Sequence, residues 1–161
     1  LADARAIAAL CRDAGAIFVV NDHADLALAC RADGVHLGQR DLPISAVRPI
    51  VGSEMIIGAS SNNAAEARAA AAAGANYVAI GAIFPTGSKA VTRPADLTRI
   101  SEVKAAVSVS VVAIGGIDSS NIRSVIEAGA DAAAVLSAVC AADDPRAAAR
   151  ELASSFERPS S

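Results

Sequence analysis

Four times in 161 residues, an alanine-rich, helix-like segment ends on Ala-Gly or Ala-Asp-Gly and passes at once into an apolar run: RDAGAIFVVND, RADGVHLGQRD, AAAGANYVAIGAIF and EAGADAAAVLSAV. Gly15, Gly34, Gly74 and Gly129 stand where the end of a helix takes a left-handed residue, a conformation open to glycine. Two more apolar runs, Met55 to Ser61 and Ser110 to Ile117, fall between helical stretches without that signature. The runs are continuously apolar, the pattern of strands covered on both faces in a parallel sheet.

The spacing predicts helices over 3–14, 24–32, 43–51, 63–74, 95–107, 119–129 and 145–156, and strands over 16–21, 34–39, 55–60, 77–84, 110–116 and 132–138. Asn63, Ser119 and Pro145 mark helix starts as caps or first-turn residues. Strict alternation of strand and helix fits either an open, doubly wound sheet or a β/α barrel. The polar residues favour the barrel. Asn21, Asp22, Gln39, Asp41, Ser60, Thr86 to Lys89, Gly115, Gly116 and Ser137 all fall just past a strand's C-terminal end, the rim where barrels carry chemistry. Six strands are two short of a closed barrel, and the sequence opens on Leu1 inside a helix. The expectation is an α/β fold, a TIM-type β/α barrel lacking its first two strands, forming one domain over 1–156 with a tail over 157–161. Completion by a second subunit and an open six-stranded sheet are the alternatives.

Composition narrows the function. With 53% hydrophobic and 19% charged residues, the chain can bury about 70% of its unfolded surface. A net charge of −3, with the lysines and arginines scattered, argues against bulk attraction to nucleic acid or an anionic membrane. The apolar runs are too short for a bilayer span, and no leader-like segment opens the sequence. Cys11, Cys30 and Cys140 are odd in number and far apart, which suits reduced thiols in the cytoplasm.

The rim residues offer three sites. Asp22 and Asp41 end neighbouring strands, so their carboxylates either share a hard divalent cation such as Mg²⁺ or cap the helices that follow. Thr86, Gly87, Ser88 and Lys89 combine hydroxyls, a close-approach glycine and a cation, the parts of a phosphate loop or of an ordinary solvated loop. Gly115 and Gly116 precede the helix opened by Ser119, beside Leu136 and Ser137 at the last strand's end; they make either a phosphate cup or a tight turn. Asn21 can donate to phosphate. Asp25 reads as a first-turn helix charge, His36 as a hydrogen-bonded packing residue, and His23 is given no role.

The segments VVNDHADLALACRADGVHLGQRD, IIGASSNN, GANYVAIGAIFPTGSK, VVAIGGI and AGADAAAVLSAV, in this order and spacing, resemble the thiamine phosphate synthase family over residues 15–156. The resemblance implies a β/α barrel that couples a hydroxymethylpyrimidine diphosphate with a thiazole phosphate, using Mg²⁺ and releasing pyrophosphate. It places the metal on Asp22 and Asp41, and the pyrimidine diphosphate on Asn21, Ser60 and Lys89. The thiazole phosphate falls to Thr86, Gly87, Ser88, Gly116, Leu136 and Ser137. Ser60 and Lys89 are thereby the catalytic candidates. Two small-molecule substrates are the partners, with neither nucleic acid nor membrane, and a homo-oligomer is left open. The family's Gln-x-Arg-x-Lys segment, which grips the diphosphate, is expected on a strand ahead of Leu1. Where the family often shows Thr-His-Asn, this chain has Ser61, Asn62 and Asn63, and without that histidine the sister activity, thiazole tautomerase, is the weaker option. A non-catalytic phosphate-binding barrel remnant is the rival outside enzymes.

Overall fold

The computed structural model describes residues 1–85 and 96–156. Along the chain run α1 (Ala2–Asp13), β1 (Val19–Asn21), α2 (Ala24–Cys30), β2 (Gly34–Leu37), α3 (Ile44–Val51), β3 (Ile56–Ser61) and α4 (Ala64–Ala72). There follow β4 (Tyr77–Gly81), α5 (Leu97–Ala106), β5 (Ser110–Ile114), α6 (Ile122–Glu127), β6 (Ala132–Ala134), α7 (Ser137–Cys140) and α8 (Pro145–Ser154). The strands form one parallel sheet in the order β1-β2-β3-β4-β5-β6.

That order decides between the two architectures. A doubly wound sheet reverses direction at a switch point, which sends helices to both faces. Here spatial order equals chain order, and β-α-β crossovers are right-handed in nearly all proteins, so the helices collect on one face. The sheet curls into a half-barrel with β1 and β6 at its open edges. Among the described residues, no helix is long and apolar enough to cross a membrane.

One device recurs at the start of alternate strands. Asp33, just before β2, donates its N–H to the Phe18 carbonyl (2.9 Å) and accepts the Phe18 N–H on its carboxylate (2.8 Å). Asn76, before β4, makes the same two bonds to Ile57 at 2.7 and 2.8 Å. Asp131, before β6, makes them to Val111 at 2.9 and 2.8 Å. Each clamp is followed immediately by the first paired residues of the ladder, Val19 with Gly34, Gly58 with Tyr77 and Val112 with Ala132. A slip of one residue would turn every side chain to the wrong face, so the clamps protect the core as well as the ladder.

The core lies between sheet and helices in two clusters. Val35 and Ile57 pack with Ala27 of α2 and Val47 of α3; Val78, Ile80, Val111 and Ala113 pack with Ile100 and Val103 of α5 and Val125 of α6. Ala70 of the alanine-rich α4 touches both clusters, because a helix without bulky side chains can sit close to the sheet.

Several expected boundaries shift. Gly15, Gly74 and Gly129 do take positive φ at helix ends. Gly34 does not: the left-handed residue after α2 is Arg31 (φ +56°), and Gly34 opens β2, where a Cβ would stand 2.7 Å from the Ile56 carbonyl oxygen. Asn63 and Pro145 hold as helix-start residues. Asn63 accepts the N–H groups of Ala65 and Glu66, and Pro145 is the first residue of α8, capped by Asp144. Ser119 caps nothing: α6 begins at Ile122, and the turn before it is closed by Asp118 accepting from Ser120. The strand expected over 132–138 stops at Ala134, because Leu136 and Ser137 turn into the four-residue α7.

Two outcomes test the clamps. Asn76→Ala strips the acceptor from the N–H of fully buried Ile57 and is expected to cost about 1–3 kcal/mol in urea unfolding. Burial pushes the Asp131 carboxyl up, but Lys104 Nζ at 2.6 Å and the Val111 N–H together hold it below the usual aspartate value. A depressed folded pKa stabilises above the unfolded value, near 3.9, and that contribution fades as pH falls through the folded one. The stability gap between the wild type and Asp131→Asn should therefore be open at pH 7 and close on acidification below about pH 4.

Candidate functional site

The clamps set strand heights, and the heights assemble the rim. Asn21, His36, Gly58 and Tyr77 lie level across β1 to β4. Just beyond this row the chain leaves β1 at Asn21, which is exposed, and Asp22. Asp22 donates its N–H to the His36 carbonyl (2.8 Å), and His23 N–H bonds back to the Asn21 carbonyl (2.8 Å). Asp22 is thus the middle residue of a three-residue turn at φ +67°, a conformation that costs a residue with a Cβ on the order of 1–3 kcal/mol.

Neither aspartate caps a helix. The position before α2 is held by His23 and that before α3 by Pro43, and neither helix has a side-chain cap. Asp41 instead uses one carboxylate oxygen to accept the Gly38 N–H at 2.6 Å, closing the turn after β2. Its other oxygen and the exposed Asp22 are hard oxygen donors at neighbouring strand exits. Among the described residues, no group of three His, Cys, Asp or Glu side chains is gathered for a metal. Carboxylate oxygens are donors that Mg²⁺ accepts alongside waters and phosphate oxygens.

A cavity of about 270 Å³ opens at the exits of β2 and β3, with Gln39, Asp41, Ser60 and Glu66 as its polar lining. Gln39 Nε2 donates to the Ser60 carbonyl, tying the two exits together. The Ser60 hydroxyl lies 2.9 Å from His36 Nε2, and His36 Nδ1 lies 3.0 Å from the Tyr77 hydroxyl. Burial pushes the Tyr77 phenol above its ordinary pKa, so it stays protonated at neutral pH. Ser61, the next residue, is buried, with no partner for its Oγ among the described residues. Asn62 donates from its backbone and its amide to Glu66 Oε2, at 2.8 and 2.9 Å, so it belongs to the start of α4.

The second group forms at the exits of β4 to β6. Ile83 and Phe84 donate to the Ile114 and Gly115 carbonyls at 3.0 and 3.1 Å, which lays the two exits side by side. Gly115 and Gly116 take φ +100° and +63°, and a Cβ on Gly116 would stand 2.6 Å from the Pro85 oxygen. Ile114 pairs with Ala134, so this turn stands beside Leu136 and Ser137, both exposed. The expected helix N-terminus is not there, since α6 starts six residues past Gly116 and spans only six itself. Amides of the turn, rather than a helix end, are what this exit can offer a phosphate. Thr86, Gly87, Ser88 and Lys89 lie outside the described residues.

Tyr77 and Gly58 had no place among the residues expected at the site. The available signal was that Tyr77 is the chain's single tyrosine, set at the start of an otherwise aliphatic strand.

A family model described as Thiamine monophosphate synthase matches residues 1–139. The Thiamine-phosphate synthase of Moorella thermoacetica is 50% identical over 149 residues, which are 92% of this chain and 71% of that protein. The Thiamine-phosphate synthase of Shouchella clausii is 47% identical over 161 residues, 99% of this chain and 77% of that protein. The solved structure of thiamine phosphate pyrophosphorylase from Pyrococcus furiosus matches with a TM-score of 0.88 at 40% identity, covering 96% of this chain and 74% of that one. A 3-hexulose-6-phosphate synthase, 21% identical with a TM-score of 0.75 over 95% of this chain and 80% of its own, shares the fold alone.

The turn at Asp22 separates a positioned carboxylate from a structural one. Asp22→Gly is expected to leave unfolding stability unchanged or higher by up to about 1 kcal/mol, because glycine accepts positive φ. Asp144→Ala, which removes the α8 cap, should lose about 1 kcal/mol in the same denaturant titration.

Proposed function

This chain belongs to the thiamine monophosphate synthase family, and from that premise we infer how its residues carry out the reaction. It is a transferase that joins hydroxymethylpyrimidine diphosphate to thiazole phosphate, giving thiamine phosphate and pyrophosphate. The observation that carries this is the likeness, over 99% of this chain and 77% of the relative, to an enzyme of that name.

In the reaction, the bond from the pyrimidine's methylene carbon to the diphosphate oxygen breaks, and its electron pair leaves with pyrophosphate. The thiazole nitrogen then bonds to that carbon. The ring system spreads the positive charge left on the methylene, so the barrier lies in stabilising the departing negative charge and in aligning the two partners. No side-chain nucleophile is needed.

In our reading, Asn21 and the Ser60 hydroxyl hold the pyrimidine diphosphate at the exits of β1 and β3, with Lys89 adding a positive charge to the leaving group. Thr86, Gly87, Ser88, the Gly116 turn, Leu136 and Ser137 hold the thiazole phosphate at the exits of β4 to β6. Asp22 and the second oxygen of Asp41 would bind Mg²⁺, which when bound supplies charge neutralisation for the leaving pyrophosphate. We place the working enzyme in a closed barrel, with further strands pairing to the outer edges of β1 and β6, and in the cytoplasm, which suits three free cysteines. A tautomerase would need a proton-transferring group in the 61–63 loop. Asn62, committed to Glu66, is not one.

The closed-barrel enzyme, incubated with both substrates and Mg²⁺, should release pyrophosphate, and chelation of the metal should stop it reversibly. Asp41→Asn keeps an acceptor for the Gly38 N–H but removes the charge, so kcat/KM should fall about 100-fold or more with the circular dichroism unchanged. Full turnover in that variant would remove the metal assignment.

A further inference from the structure

His36, Gly58 and Tyr77 occupy one level on three successive strands, on the face turned away from the helices. Strands stand about 4.8 Å apart, so β2 and β4 are too far apart for direct contact unless a side chain crosses β3. The Tyr77 ring does cross. A Cβ built on Gly58 would stand 2.0 Å from the ring's Cζ and 2.3 Å from its hydroxyl, so only glycine leaves the passage open. The ring lies against the His36 imidazole, with centroids 5.6 Å apart and planes at 29°, and its hydroxyl reaches Nδ1 at 3.0 Å. His36 Nε2 then meets Oγ of Ser60, two residues further along β3 and so about 6.6 Å nearer the rim.

Two orders of donors are open to this row at these distances. In the first, the Tyr77 hydroxyl donates to Nδ1, which puts the imidazole proton on Nε2. Nε2–H then donates to Ser60 Oγ. With a lone pair so occupied, the serine's own hydrogen is left to point elsewhere. The reverse order would spend that hydrogen on His36 and turn oxygen lone pairs toward any anion at the rim.

We propose that Tyr77 and His36 are positioning residues that orient the Ser60 hydroxyl as a hydrogen-bond donor toward the diphosphate of the pyrimidine substrate. This rests on the placement of that substrate at Ser60 in the synthase reading. Gln39 assists by holding the Ser60 carbonyl, so that the backbone carrying the hydroxyl is fixed from the β2 exit.

Tyr77→Phe keeps the ring over Gly58 and removes only the donor. It is expected to raise KM for the pyrimidine diphosphate roughly tenfold, to leave KM for the thiazole phosphate unchanged, and to have no further effect in a Ser60→Ala background. Nitrogen NMR of the His36 ring supplies a readout that packing alone does not move: the proton should sit on Nε2 in the wild type and redistribute in Tyr77→Phe. A wild-type proton on Nδ1, an unchanged diphosphate KM, or losses that add with Ser60→Ala would each overturn the proposal. If the wild-type closed-barrel enzyme turned nothing over, the synthase reading would fail by itself, and the wild-type NMR spectrum would still decide the orientation of the row.

Discussion

The Asx clamps at the feet of β2, β4 and β6 are what the rest of the molecule depends on. Each holds one residue in or just before the preceding strand by both its N–H and its carbonyl, at 2.7 to 2.9 Å. Backbone pairing alone would tolerate a shifted register in a sheet of such short strands. A side-chain acceptor at a defined position does not, because a shift leaves a buried N–H without a partner. The clamps therefore decide which residues face the helices and which face the interior.

From that choice the site follows geometrically. Fixed heights put Asn21, His36, Gly58 and Tyr77 in one row and bring the exits of neighbouring strands out together. The rim is then finished with conformations that cost stability. Asp22 holds a left-handed backbone without capping a helix, and Gly115 and Gly116 give up side chains so that the β4 exit can lie against them. A fold that carries such strain at its edge needs the low-strain packing of Ile57, Ile80, Val103 and Val111 beneath it.

How legible each part was depends on the range of the interaction behind it. Asn63 and Pro145 were readable because a cap satisfies donors two or three residues away, and nothing distant competes. Ser119 misled because Asp118, one residue earlier, closes the turn with its stronger acceptor. Gly34 misled because its purpose is an approach to Ile56 on another strand, which spacing within its own segment does not reveal. Asp22, Gln39, Asp41, Gly115 and Gly116 were legible as residues past strand ends, because the end of an apolar run is a local feature. For Asp22 and Asp41 the structure answers only the capping half of the alternative, since neither following helix has a side-chain cap.

By itself, the sequence determined the alternation of helix and strand, the parallel sheet, the position of the rim and most of its polar residues. All of these rest on local periodicity and on residues within a turn of one another. Only the tertiary structure decided that the helices share one face, that Tyr77 crosses β3 to reach His36, and that Ser60 is joined to both. Those facts come from strand order and strand height, which bring together residues up to 41 positions apart and leave no mark on the local pattern of any one segment.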